Sequence, residues 1–338
     1  MIYGRELKKS QDLLKIEIEY RRPPRYNKLD IRKEGNYLEN TVLREKKKKR
    51  GWTDPLRALV ILGPMVIWWF VAAGFPMLFG FVLGFFEWRG INPQPQFIWF
   101  DNFVTFFSSP LYCSILWRTI WLGVVTTAGT VLCGFGAALL MNMPLKGRGV
   151  FRSLWYIPAV TSTVAISQVI QIMIDPFNGV LTRIFNANGW TPINFVDSAT
   201  WGYIVIILYS IWKGVGGSAL LWLAGLQCID SSLYEAAEMD GADTWKKFLH
   251  ITIPGLRPIV TYIVITGITG ALQIYEPVAF ITNGGPQNGT MVLALKIVQD
   301  GFFNFNFGMA GASSLILAII IFVCSAAYYM FSKRRAQE

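Results

Sequence analysis

Long apolar runs alternate with short polar interludes along this sequence. Six runs, at about 57–86, 112–141, 153–174, 201–226, 259–282 and 309–331, come near or exceed the roughly 20 residues a helix needs to cross a bilayer, and they predict six membrane spans. Gly63-Pro64, Gly74 and Pro76 predict bends in the first. The interlude 231–258 carries a pattern of its own. Ser232 with Glu235 reads as a capping box that starts a helix. Leu233, Ala236, Ala237 and Asp240 then share one face of mostly small side chains, while Glu235 and Met239 point away. Gly241 ends this helix. Asp243 caps a second short helix through Trp245, Lys246, Lys247 and His250, which is not expected to pass Pro254 without a break.

Composition agrees with the pattern. Hydrophobic residues make up 53% and aromatic residues 15% of the 338, which places the chain among all-α polytopic membrane proteins. The formal charge of +10 raises nucleic acid as a partner, but its location points to lipid instead. Residues 1–50 hold 16 Lys and Arg against 8 Asp and Glu, the footprint of a cytoplasmic tail beside anionic lipid. No short basic start followed by an apolar core and a cleavage site is present, so this segment is not expected to be a cleavable signal peptide. The expected organisation is a basic extension (1–54), a six-helix membrane domain (55–333) and a short tail (334–338). Basic residues fall in the extension, in 143–152, in 231–258 and in Lys333-Arg334-Arg335, whereas the alternate loops hold Arg89, Arg183 and Lys296. This bias places both termini and 231–258 in the cytoplasm.

No catalytic constellation is apparent. The sequence has one histidine, His250; its four cysteines, Cys113, Cys133, Cys228 and Cys324, form no CxxC pair; and it lacks a GxxxxGK[ST] phosphate loop. If ATP drives this protein, another polypeptide binds it. Polar residues inside spans are the informative ones, because lipid penalises them. In the fifth run Tyr262, Thr266, Thr269, Gln273 and Glu276 follow helical spacing as one stripe. In the third, Thr161, Gln168 and Gln171 share a side. Lys213 in the fourth needs a carboxylate, a carbonyl or water, with Glu276 as one conceivable partner. Amides and carboxylates on such faces suit hydroxyl-rich ligands, on which Tyr275 or Trp212 can stack. The competing reading is helix-to-helix hydrogen bonding. Arg118 either lines an outer vestibule or reaches up to the headgroups.

Glu235-Ala236-Ala237, three residues, Gly241, nine residues, Ile251, one residue, then Ile253-Pro254 closely resembles the EAA signature of permease subunits of binding-protein-dependent ABC importers. Ile253 stands where that family usually has Leu, and Asp230 where Pro is common. Likeness extends over most of 57–333: Lys146-Gly147-Arg148-Gly149-Val150-Phe151-Arg152 with Pro158, Leu226-Gln227, Leu272-Gln273 with Tyr275-Glu276, and Gly284-Gly285-Pro286 with Thr290 are similar to the sugar-importing, maltose and glycerol-phosphate branch. Arg118-Thr119 departs from the more frequent Asn-Thr. The resemblance implies a non-catalytic permease in a bacterial cytoplasmic (inner) membrane, with 231–258 as the loop that docks on an ATPase. Glu235, Ala236, Ala237, Asp240, Gly241, Ile251 and Pro254 carry that docking. It implies a second permease, two ATPase subunits, an extracytoplasmic solute-binding protein and a sugar or oligosaccharide as partners, with ATP and Mg in the ATPase and no cofactor in this chain. The substrate path is expected to draw on Gln168, Gln171, Trp212, Lys213, Thr266, Thr269, Gln273, Tyr275 and Glu276. Two other functions stay open: the same permease class for a solute such as glycerol phosphate, and an ion-coupled secondary transporter using Glu276 and Lys213.

Overall fold

The computed structural model describes residues 53–90, 94–143 and 147–335. The basic extension before Thr53, Lys146 and the last three residues of the tail lie outside the described residues. The chain divides into two units, one ending at Phe75 and one starting at Pro76. In the first, α1 (Thr53–Trp69), with Pro64 inside it, leads into a π-helical turn at Phe70–Gly74.

Among its described residues the regular structure of the second unit is helical apart from one small antiparallel pair and an isolated bridge between Arg89 and Asn306. After α2 (Phe75–Leu83), β1 (Phe86–Glu87) pairs with β2 (Gln96–Phe97), Phe86 opposite Phe97 and Glu87 opposite Gln96. Next come α3 (Asp101–Ser108), α4 (Pro110–Asn142), α5 (Arg148–Val160), α6 (Thr163–Met173), α7 (Val180–Ala187) and α8 (Ala199–Gln227). They are followed by α9 (Ser231–Met239), α10 (Thr244–Lys247), α11 (Ile253–Gly255), α12 (Arg257–Leu272), α13 (Leu293–Val298) and α14 (Phe307–Arg335).

Among the described residues four helices are long and apolar enough to cross a membrane, or up to six if each of two bent pairs counts as one span. The bends correct two sequence expectations. The third run is not one helix: α5 and α6 meet at 94°. Pro158 cannot sustain the helical ladder, Thr161 takes an extended backbone (φ −75°, ψ 151°), and Ser162 restarts the helix by capping the Ala165 amide. The fifth run is also interrupted. Its helix ends at Leu272, and helical backbone resumes at Glu276, running through Pro277 into a π-helical turn at Val278–Thr282.

The α4/α8 pair forms the axis of the unit. Ala137, Ala138 and Met141 bury against Val215, Ala219, Trp222 and Leu223, and the Trp222 indole donates to the Val131 carbonyl at 3.2 Å. Lipid tails are as apolar as these side chains, so close backbone approach rather than exclusion from water favours such packing. At Gly216, α8 comes so near α5 that a Cβ would sit 2.2 Å from the Trp155 carbonyl oxygen. Nearer the start of α4, Asp300 is 3% exposed and fully partnered. It accepts from Tyr112 Oη (2.6 Å), Lys296 Nζ (2.6 Å) and Asn304 Nδ2 (3.1 Å). Lys296, an outer-loop cation in the sequence pattern, is therefore half of a buried ion pair.

Candidate functional site

Two features gather the chemistry-bearing residues. The first is a cavity of about 330 Å³ walled by four helices. Thr126, Thr127 and Thr130 face it from α4, Tyr209, Ser210 and Lys213 from α8, and Thr266 with Gly267 and Gly270 from α12. Thr163 enters at the start of α6. The end of α12 supplies the rest: once the helix stops, Gln273 and Tyr275 reach the cavity from the break, and Glu276 from the first residue of the helix that resumes after it. The expected continuous stripe on the fifth span is thus broken after Leu272, yet Thr266, Gln273 and Glu276 still converge.

Other expected path residues lie elsewhere. Thr269 bonds the Ile265 carbonyl on its own helix. Gln168 and Gln171 are exposed on α6 while Ile166 and Ile170 take the inner face against Tyr209. Trp212 is about half exposed, with its ring 6.5 Å from that of Tyr209. None of these four lines the cavity. The α4 threonines and Ser210 were not singled out from sequence, although Thr126 and Thr130 share a helical face and carry the same signal of polarity within a span. Arg118 donates to the Asn288 carbonyl at 2.5 Å instead of extending freely.

Lys213 has found its carbonyls. Its Nζ donates to Pro158 O at 3.1 Å and Thr161 O at 2.6 Å, the groups freed by the break between α5 and α6. Glu276 shares the cavity but lies beyond the 4.0 Å of an ion pair, and among the described residues no salt bridge joins the two.

The second feature is the exposed helix–turn–helix of 231–258. Its first helix starts two residues earlier than the capping-box reading, and its cap differs. Asp230 is the cap, its carboxylate accepting from the Ser232 amide at 3.0 Å; that bond holds the Asp230 carboxyl below its ordinary pKa. Gly241, at φ +74°, ends α9 as expected. The Ala242 amide reaches Ala237 O (2.8 Å) and the Gly241 amide reaches Glu238 O (3.0 Å), the pairing of a Schellman motif. Asp243 caps α10 through the Lys246 amide at 2.7 Å.

The second helix does not stop before Pro254. A π-helical turn at Phe248–Thr252 widens the spiral just ahead of the proline, and the helix runs on to Gly255 before bending 60° into α12. Cross-links make the element one body. Lys247 Nζ meets Glu238 Oε1 at 2.6 Å and holds that carboxyl below its ordinary pKa, and Tyr234 Oη meets Thr252 Oγ1 at 2.8 Å. Phe248 rests beside Phe135 of α4, joining the element to the membrane helices. Glu235, Ala236, Asp240 and Gly241 are exposed, and Ala237, Ile251 and Pro254 are half-buried. Met239, 90% exposed, and Trp245, 65% exposed, leave large apolar groups on the outside of this body.

The family described as binding-protein-dependent transport system inner membrane component matches residues 130–337. The sulfoquinovosyl glycerol transport system permease protein SmoG of Agrobacterium fabrum is 30% identical over 305 residues, covering 86% of this chain and 97% of that protein. The arabinooligosaccharides transport system permease protein AraP of Bacillus subtilis is 29% identical over 290 residues, covering 82% and 90%. The fold is that of a chain in the crystal structure of a bacterial ABC transporter involved in the import of the acidic polysaccharide alginate, with a TM-score of 0.73 at 23% identity over 84% of this chain and 98% of that one. With the family match spanning more than half its length, this chain belongs to the inner membrane components of binding-protein-dependent transport systems.

Proposed function

We propose that this chain forms the translocation path of an importer for a sugar or oligosaccharide. One observation carries the reading: the cavity between α4, α8 and α12 combines hydroxyls, the Gln273 amide, the Glu276 carboxylate and the Tyr275 ring in a volume suited to a saccharide unit. The names of its relatives, transporters of a sulfoquinovosyl glycerol and of arabinooligosaccharides, support a carbohydrate cargo. On this reading Lys213, Thr266, Gln273, Tyr275 and Glu276 border the path. The body 231–258, with Glu235, Ala236, Ala237, Asp240 and Gly241 outward, docks on a cytoplasmic ATPase. Closure of an ATPase pair then moves this body, and with it α12, whose far end is the cavity wall. A second permease, two ATPase subunits holding ATP and Mg, and an extracytoplasmic binding protein complete the assembly, with both termini of this chain in the cytoplasm.

Reconstitution of that assembly in proteoliposomes tests the proposal. Uptake of neutral di- and oligosaccharides presented by the binding protein should require ATP inside, and Gln273→Ala should change the preference among them with the complex intact. Uptake that follows an ion gradient without ATP would sink the reading.

A further inference from the structure

One basic and one acidic side chain line the cavity, Lys213 and Glu276, and the structure treats them differently. The Lys213 ammonium is committed to the carbonyls of Pro158 and Thr161. These stand at the C-terminal end of α5, where aligned peptide dipoles place about half a negative charge. Its charge is therefore countered in place. Glu276 is exposed to the cavity and receives no hydrogen bond from a described residue. Of the two, Glu276 alone has no hydrogen-bonded counter-group among the described residues.

The hydroxyls add to this bias. Thr126 Oγ1 donates to Leu122 O at 2.7 Å, Ser210 Oγ to Ile206 O at 2.7 Å, and Thr266 Oγ1 to Tyr262 O at 2.8 Å. Each hydroxyl has a single proton and two lone pairs, so with its proton turned to its own helix it offers the cavity only an acceptor. Three spent hydroxyls and the Glu276 carboxylate bias the wall toward accepting hydrogen bonds and against anions, with the Gln273 amide and the unpartnered Thr127 hydroxyl left as donors.

We infer that the cavity selects neutral, polyhydroxylated saccharides, which bind by donating their hydroxyl protons, and rejects saccharides bearing carboxylate, sulfonate or phosphate. Lys213 is a positioning residue that holds the elbow between α5 and α6, not a cation for the cargo. This deepens the sugar reading and rests on it. A phosphorylated solute would need a free cation where the structure has a free carboxylate.

Charged thiol reagents measure the sign of the cavity without any cargo. In the assembled transporter, with Cys113, Cys133, Cys228 and Cys324 replaced by serine, Thr130→Cys reports from the α4 wall. Ser210→Cys serves as a second reporter should the first disturb assembly. The quantity is the rate of modification by a cationic methanethiosulfonate divided by that by an anionic one of similar size, relative to the same quotient for free cysteine. The expected quotient exceeds that of free cysteine, and Glu276→Gln lowers it by about tenfold, since removing one nearby charge acts oppositely on the two reagents. A quotient below that of free cysteine, or one indifferent to Glu276→Gln, overturns the inference and leaves the sugar reading standing if neutral sugars are imported. The expected quotient in a complex that imports no saccharide strikes the sugar reading and with it the selection of saccharides, leaving only the sign of the cavity.

Discussion

Replacing Gly241 by alanine strains the turn between α9 and α10 without filling any occupied space. Among the described residues nothing beyond its chain neighbours lies within 4 Å of the position its Cβ would take, so the effect comes through the backbone angle of +74°. An L-residue in that left-handed region costs about 1–2 kcal/mol, and asparagine suffers least of those with a side chain. The strain is released by opening the two bonds that close the turn, Ala242 N–H to Ala237 O and Gly241 N–H to Glu238 O. A change of about 1–2 kcal/mol corresponds to roughly 5- to 30-fold in the opening equilibrium. Hydrogen exchange at the Ala242 amide should therefore quicken by that factor in Gly241→Ala, by less in Gly241→Asn and by more in Gly241→Val.

The stimulation of ATP hydrolysis by liganded binding protein should follow the same order, because a lever that opens at its turn transmits less. Asparagine is the decisive variant, being larger than alanine yet better suited to the angle. If Gly241→Asn couples worse than Gly241→Ala, side-chain volume against the ATPase sets the requirement and the backbone argument fails. Exchange at Ala242 that is unchanged in Gly241→Ala would refute it independently.

Three further outcomes follow from particular contacts. Asp300→Asn leaves the Lys296 ammonium buried without its counter-charge and should destabilise the protein by about 3–5 kcal/mol; the double variant with Lys296→Met should recover part of this in thermal unfolding, and a double as unstable as the single would contradict the pairing. Gly216→Ala puts a carbon on the Trp155 carbonyl oxygen and should lower the unfolding midpoint by forcing α5 from α8; an unchanged midpoint would show that the close approach is not rigid. The Glu238 carboxyl, held by Lys247 below its ordinary value of 4.5, contributes its link above the unfolded-state pKa and loses it as pH falls through the depressed folded value. Hydrogen exchange in α10 should accordingly be faster in Glu238→Gln than in the native protein at neutral pH, and the two should converge in acid.

Local chemistry made the element 231–258 readable from sequence, down to the glycine that turns it and the aspartate that restarts it, since each acts within a few residues of itself. Even there the choice of Asp230 over Ser232 as the first cap depended on which of two neighbouring oxygens the backbone presented. Spans were readable because a bilayer fixes their length. Helix breaks were not, because their partners come from elsewhere: the carbonyls of Pro158 and Thr161 are satisfied by Lys213, more than fifty positions along the chain, on another helix. Periodicity likewise set Gln168 and Gln171 on one side of α6 without saying that Ile166 and Ile170 would win the inner one.

The unreadable breaks are what build the site. An unbroken third span would leave Lys213 with no open carbonyls, and its charge would then face the cavity. An unbroken fifth span would keep Gln273 and Glu276 on one stripe but turn Tyr275 about 100° away from Glu276, whereas the interrupted chain brings all three to one wall. The cost of interrupting two helices in a membrane is met by groups that the interruptions themselves bring together, and the same interruptions settle which charge remains for a cargo to meet.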